Sequence, residues 1–191
     1  MKRCDWCEDT FKQYIRYHDE EWGVPVYDDK THFEFLILEG AQAGLSWSTV
    51  LKKREGYRNA FADFELEEVA VYSEQMIQNL LMDKNIIRNK LKIDSAVINA
   101  KKFIEVQKEF KNFSNYIWSF TGNKVINNSW KQMSEVPATS KESDALSKDL
   151  KKRGFKFVGS TIIYAHMQAT GLVNDHLKNC FRYNEVMNLQ K

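Results

Sequence analysis

"LSKDLKKRGFKFVGSTIIYAHMQATG", residues 146–171, decides how this chain is read. Two helical stretches, 140–153 and 160–171, meet at a short turn bounded by Gly154 and Gly159. Connections between helices run over the surface and are normally polar, yet "GFKFVG" holds Phe155, Phe157 and Val158. These side chains are expected to tuck between the two helices. Gly159 followed by Ser160 and Thr161 leaves free backbone N–H groups at the start of the second helix, which suits an anion. Lys151, Lys152, Arg153 and Lys156 crowd the same turn, and favour that reading over two ordinary helices meeting at glycines.

The pattern elsewhere agrees with a helical chain. Only two prolines occur, and no segment alternates β-branched residues with period two. Helices are expected at 9–21, 30–44, 46–61, 65–72, 73–82, 90–110 and 113–120, then at 140–153 and 160–171 after a looser region, 122–137. Ser46, Ser140 and Ser160 are candidate N-caps. The fold class is all-α. No repeat and no linker rich in Pro, Gly or Ser divides the 191 residues, so one domain is expected, with residues 182–191 as a tail.

Composition narrows the class. With 43% hydrophobic and 13% aromatic residues the chain can bury a sizeable core. Its apolar runs are too short to span a membrane, and "MKRCDWCEDT" lacks the apolar segment of a signal peptide, so a cytoplasmic protein without a membrane partner is expected. A net charge of +2 does not by itself announce a nucleic-acid partner, but basic clusters at 51–55, 87–92, 100–102 and 150–156 are local faces that can hold phosphates.

One apolar stretch poses a chemical question. "HFEFLILEGAQAGLSW", residues 32–47, is apolar or small at most positions, and a helix hydrophobic nearly all round should be buried. Glu39 within it either pairs with a buried Lys or Arg or waits for a ligand, because an unsatisfied buried carboxylate is costly. Gly44 permits a corner, after which Trp47 opens the next helix and can face the same cavity as Glu39.

Cysteine and histidine collect at the two ends. Cys4, Cys7 and His18 lie near the N-terminus, and "DHLKNC" sets His176 and Cys180 one helical turn apart. Thiolate and imidazole are the preferred donors of a structural zinc site, and two ligands from each end would staple the termini. Five candidates compete for four places. His32 and His166 lie in strongly apolar helical stretches and are taken as core or flanking residues.

The hairpin resembles the helix-hairpin-helix element of DNA repair proteins, whose backbone amides grip phosphates without reading sequence. "RCDW" (3–6), "YHDEEWGVP" (17–25), "LEGAQAGLSWSTVLKKRE" (38–55), "IIRNKLKI" (86–93), "SDALSKDLKKRGFKFVGSTIIYAHMQATGLVNDH" (143–176) and Cys180 together resemble the 3-methyladenine DNA glycosylase I family over nearly the whole chain. That resemblance implies a helix-hairpin-helix glycosylase fold with termini 1–22 and 172–181 joined by a structural zinc, held by Cys4, His18, His176 and Cys180, with Cys7 outside the set. It implies hydrolysis of the N-glycosidic bond of 3-methyladenine in double-stranded alkylated DNA, and places the base pocket at Tyr17, Glu39 and Trp47 with Trp6 and Trp22 nearby. Glu39 is expected to recognise the base and possess the catalytic role. Gly154, Lys156, Gly159, Ser160 and Thr161 are expected on the DNA backbone, and Gln42 or Leu45 as a wedge in the gap left by a flipped nucleotide. The family pattern gives no sugar role to Asp175.

The enzyme is expected to be monofunctional, leaving an abasic site, and monomeric. Two competing classes remain: a non-catalytic module that binds damaged DNA, and a zinc-stabilised helical interaction protein. The second has no need of a carboxylate in a buried helix.

Overall fold

The computed structural model describes residues 1–8 and 10–189. Its helices are α1 (Lys12–Glu20), α2 (Asp29–Gln42), α3 (Trp47–Leu51), α4 (Arg54–Ala60), α5 (Leu66–Ala70), α6 (Glu74–Met82), α7 (Lys90–Phe110), α8 (Phe113–Ser119), α9 (Lys141–Lys152), α10 (Ser160–Ala169) and α11 (Phe181–Asn188). The chain is mostly helical, as its lack of period-two patterning predicts. The expected start of the first helix at Asp9 lies outside the described residues.

α2 owes its apolar circumference to its position. It packs against α3, α7, α8 and α10, and every residue from 32 to 41 is buried. Its start is sharp because the Asp28 carboxylate accepts from Thr31 N at 2.8 Å. The main core gathers around it, with Phe33, Phe103 and Phe113 fully buried. A smaller aromatic cluster joins both ends of the chain to the same helix through Cys4, Tyr17, Trp22, Phe35, Leu177 and Cys180.

Three departures from the pattern have local causes. The stretch 46–61 breaks at Lys53, whose ψ of 2° leaves the helix, and Arg54 then turns inward to Glu34. In the looser region, β1 (Ile126–Asn127) pairs in parallel with β2 (Val173–Asn174), a two-residue ladder invisible to periodicity. The expected tail is instead α11: Tyr183 and Val186 are buried, and Phe181 N donates to Lys2 O at 3.0 Å. Gln190 and Lys191, the last two residues of that stretch, lie outside the described residues.

The turn between α9 and α10 is built as its composition suggests. Ser140 caps α9 in a reciprocal box with Ser143. Gly154 takes the left-handed conformation (φ 95°), and Phe155 N returns to Leu150 O at 3.0 Å, closing the helix end. Phe155 and Val158 are buried as expected, but Phe157 is only half-buried: its backbone takes the left-handed conformation (φ 53°). Ser160 is the first helical residue rather than the cap: Gly159 holds the cap position, and the Ser160 hydroxyl is drawn away to Asp144 at 2.6 Å.

Candidate active site

Seven aromatic and polar residues from five segments of the chain meet at one cavity. Trp6 comes from the N-terminal turn, Tyr14 and Tyr17 from α1, Trp22 from the loop after it, Glu39 and Gln42 from α2, and Trp47 from α3. Met133, Ala165 and Gln168 complete the wall, and the cavity holds about 180 Å³. Tyr17 and Trp47 lie 5.3 Å apart between ring centroids, and Trp6 meets Trp22 edge-on at 5.1 Å. All five expected pocket residues therefore line one space.

The corner between α2 and α3 aims Glu39 and Trp47 together. Gly44 sits at φ 77°, a conformation open to glycine, and Ser46 caps α3 by accepting from Thr49 N. The carbonyls of Ala41 and Ala43 at the end of α2 receive the Lys92 ammonium at 2.7 Å each. A second cavity of about 260 Å³ adjoins the first, lined by Glu39, Gln42, Gly44, Leu45, Thr161 and Ala165. Gln42 and Leu45, the two wedge candidates, stand at this mouth, and Leu45 is exposed.

The two carboxylates of the apolar helix have different fates. Glu34 takes Arg54 Nε at 2.7 Å and Arg58 at 3.2 Å, so it is an ordinary buried ion pair. Glu39 has no cationic side chain beside it. Its Oε2 stands 3.2 Å from His166 Nδ1 without hydrogen-bond alignment, and neither atom has another partner. Burial pushes the Glu39 carboxyl well above the usual carboxylate range and the His166 imidazole down to about 3. Trp47 Nε1 is also buried without a partner. Buried polar atoms are rarely left so, and three of the four such atoms among the described residues converge on this site.

Asp175 has a different use. It is buried, and its oxygens accept from Asn128, Trp130, Tyr164 and Gln168 at 2.7–2.8 Å. Its lone pairs are occupied in fixing Gln168, a wall residue of the cavity, and Trp130.

At the chain ends, the ligand atoms of Cys4, His18, His176 and Cys180 lie within 4.8 Å of one another, all buried. Sulfur-to-nitrogen separations are 3.4 Å for Cys180 to His18, 3.6 Å for Cys4 to His176 and 3.7 Å for Cys180 to His176. Tetrahedral zinc with bonds of about 2.3 Å to sulfur and 2.0 Å to nitrogen would set such pairs about 3.5 Å apart, so this donor set fits a metal. Each imidazole is oriented through its other nitrogen, His18 by Asp19 at 2.8 Å and His176 by the Trp22 carbonyl at 2.9 Å. The Cys180 thiol is pulled down by its hydrogen bonds to Cys4, His176 and His18, while that with Cys180 and burial push Cys4 up. Cys7 is buried but bonds to the Cys4 carbonyl instead.

The structure brings together the residues expected at the pocket and in the donor quartet, and adds Tyr14, Met133, Ala165 and Gln168 to the cavity wall, which the sequence reading does not include. Tyr14, one helical turn before His18, was within reach of periodicity. The other three were not.

Comparison with known proteins follows this geometry. The family model for methyladenine glycosylase matches residues 6–183. The DNA-3-methyladenine glycosylase 1 of Escherichia coli (strain K12) is 48% identical over 183 residues, covering 96% of this chain and 97% of that one. The DNA-3-methyladenine glycosylase of Haemophilus influenzae is 47% identical over 178 residues, covering 93% and 96%. A structure describing 3-methyladenine recognition by 3-methyladenine DNA glycosylase I from Staphylococcus aureus superposes with a TM-score of 0.91 at 37% identity, covering 95% of this chain and 96% of that one. With nearly the full length of each relative matched, the chain belongs to the methyladenine glycosylase family, as an enzyme of the 3-methyladenine DNA glycosylase I type.

Proposed function

We propose that the chain is a single-domain, monofunctional base-excision enzyme that hydrolyses the N-glycosidic bond of 3-methyladenine in double-stranded alkylated DNA and leaves an abasic site. The observation that carries this reading is the aromatic cavity with one buried, cation-free carboxylate, Glu39. A base must leave the duplex stack before such a cavity can hold it. Methylation at N3 makes adenine cationic and weakens its bond to the sugar, because the base then departs neutral. A cation over an aromatic face gains about 0.5–2 kcal/mol, with Trp47 and Tyr17 as the candidate faces. Glu39 accepts from the exocyclic amine and favours the positive form over ordinary adenine.

In the reaction, the N9–C1′ bond breaks with its electron pair going to the base. Water forms the new C1′–O bond and gives up one proton, which passes to the solvent. Tyr17, Trp6 and Trp22 would wall the base, and Glu39 would also ease the developing sugar cation. Gly154, Lys156, Gly159, Ser160 and Thr161 would hold the DNA backbone, in the manner of a helix-hairpin-helix element. The space at Gly159, where an added Cβ meets nothing within 4 Å, leaves its backbone open to a phosphate. Gln42 or Leu45 would fill the gap left by the flipped nucleotide.

Cys4, His18, His176 and Cys180 are the proposed ligands of a structural zinc, which would tie the ends of the chain and take no part in the chemistry. No helix among the described residues is long and apolar enough to cross a membrane; a monomeric, cytoplasmic enzyme is proposed.

The test is release of free base from methylated DNA. Glu39→Gln loses one charge-assisted hydrogen bond, about 1.5–3 kcal/mol, so kcat/KM should fall by about 10- to 100-fold. Full excision and full base binding by this variant would refute the role of Glu39. Binding of methylated DNA without base release by the unaltered protein would favour the non-catalytic module.

A further inference from the structure

A chain of buried groups runs behind Glu39. The Val26 carbonyl is 3.1 Å from His32 Nε2, His32 Nδ1 is 3.3 Å from His166 Nε2, and His166 Nδ1 is 3.2 Å from Glu39 Oε2. All three side chains are buried. A carbonyl oxygen only accepts, so His32 carries its hydrogen on Nε2 and presents a lone pair at Nδ1. Only an N–H on His166 Nε2 satisfies that lone pair. His166 therefore has one nitrogen committed, and the state of the other depends on Glu39.

With both imidazoles neutral, a lone pair on His166 Nδ1 faces Glu39 Oε2 across 3.2 Å. An ionised Glu39 would put two acceptors together in a dry site, which is unfavourable. A carboxyl hydrogen on Oε2 resolves the conflict, once a small rotation of the carboxyl brings the two atoms, 3.2 Å apart, into hydrogen-bond alignment. If Glu39 is ionised, the complementary arrangement is an imidazolium with hydrogens on both nitrogens. The backbone carbonyl at the far end thus permits two states of the pair, both neutral in sum.

We infer that His166, keyed by His32 and the Val26 carbonyl, is a positioning residue that takes the carboxyl proton of Glu39 when a cationic base enters and returns it when the neutral base leaves. The inference rests on the proposed base pocket. In the forward step the Oε2–H bond breaks, its electron pair stays on the carboxylate, and an Nδ1–H bond forms. No proton enters or leaves the protein. The empty cavity holds no bare charge, and the carboxylate appears only under the field of a cation, so the site reads the charge of its ligand as well as its shape.

Burial keeps the proton on Glu39 at rest, since it pushes the carboxyl up and His166 down, with no charged group offsetting either. Tyr17 of α1 is the titratable group facing Glu39, and Asp28 and Asp29 act on His32 from the start of α2. His166 adjoins no proposed metal ligand.

The test uses the intact protein with isotope-labelled histidine nitrogens. The probe is 3,9-dimethyladeninium, a cation with no sugar to lose, and 9-methyladenine is the neutral control. Nitrogen NMR should report a neutral His166 in the free protein and with the control, and an imidazolium with the cation bound. Binding of the cation, read by tryptophan fluorescence, with His166 still neutral would overturn the inference and leave the pocket reading intact. No binding of the cation would overturn both. A second measurement is calorimetry in buffers of differing ionisation enthalpy: the unaltered protein should release no proton on binding the cation, and His166→Gln about one. Equal proton release by the two proteins would also overturn it.

Discussion

Glu34 and Glu39 share a helix, a residue type and near-complete burial, and differ only in their partners. Glu34 is met by Arg54 and Arg58, whereas Glu39 faces an imidazole that burial keeps neutral. Removing one member of a buried pair strands the other, at about 3–5 kcal/mol. Glu34→Ala should therefore lower the urea midpoint while leaving base excision per folded molecule unchanged, the reverse of the pattern expected for Glu39→Gln. A selective loss of excision in Glu34→Ala would contradict the division. The two histidines carry a pH prediction. Both are depressed from 6.5 to about 3, His32 first by burial and then by His166. The unfolded chain thus binds protons that the folded one refuses, so the contribution is present above pH 6.5 and is lost as pH falls toward 3. Each imidazole adds up to about 1.4 kcal/mol per pH unit in that window. His32→Gln should flatten the acid side of a stability–pH curve measured by urea unfolding, and an unchanged slope would count against a neutral buried His32.

At the scale of elements, the hairpin offers a variant that separates folding from binding. Gly159 has a negative φ of −62° and open space where a Cβ would sit, so Gly159→Ala should fold normally. If a phosphate approaches that backbone, the added methyl obstructs it, and DNA affinity should drop with no change in binding of the free base. Lys156→Ala should weaken DNA binding across sequences and lower the salt slope by about one. Unaltered DNA affinity in both variants would place the phosphate grip elsewhere. This element was readable because its signals are local: two glycines, a basic surround and apolar turn residues that turn out to be buried, Phe155 and Val158. Local signals failed where a partner lies far along the chain. Nothing near Ser160 announces that Asp144 takes its hydroxyl, and nothing near Lys92 announces that it closes the α2 corner. The closeness of His166 to Glu39 is likewise a product of α10 packing on α2, so a histidine that reads as core in sequence stands behind the pocket.

For the whole molecule, the decisive feature is that the C-terminal end of the chain packs behind a pocket wall built by the N-terminal end. Cys4 and His18 come from one end and His176 and Cys180 from the other, and Trp6, Tyr17 and Trp22 are interleaved with the first pair. His18 contacts Trp6 edge-on at 5.1 Å, and Trp22 contacts His176 at 4.6 Å. Whatever holds the quartet together therefore holds the aromatic wall. Four donors at tetrahedral spacing are folded into place by the same packing that closes the cavity, and a bound metal would favour the folded chain because the unfolded one presents no preformed site. The expected result of metal analysis is about one zinc per chain. Chelation, or Cys180→Ser, should lower the thermal midpoint and loosen the wall, raising KM for methylated DNA more than it changes the preference for 3-methyladenine over other methylated bases. That preference is the role proposed for Glu39 and Trp47, which are carried on α2 and α3 rather than on the terminal segments. A purified protein without metal and of equal stability would remove the staple, while a switch in base preference on chelation would mean that the metal centre shapes the pocket floor as well as its wall.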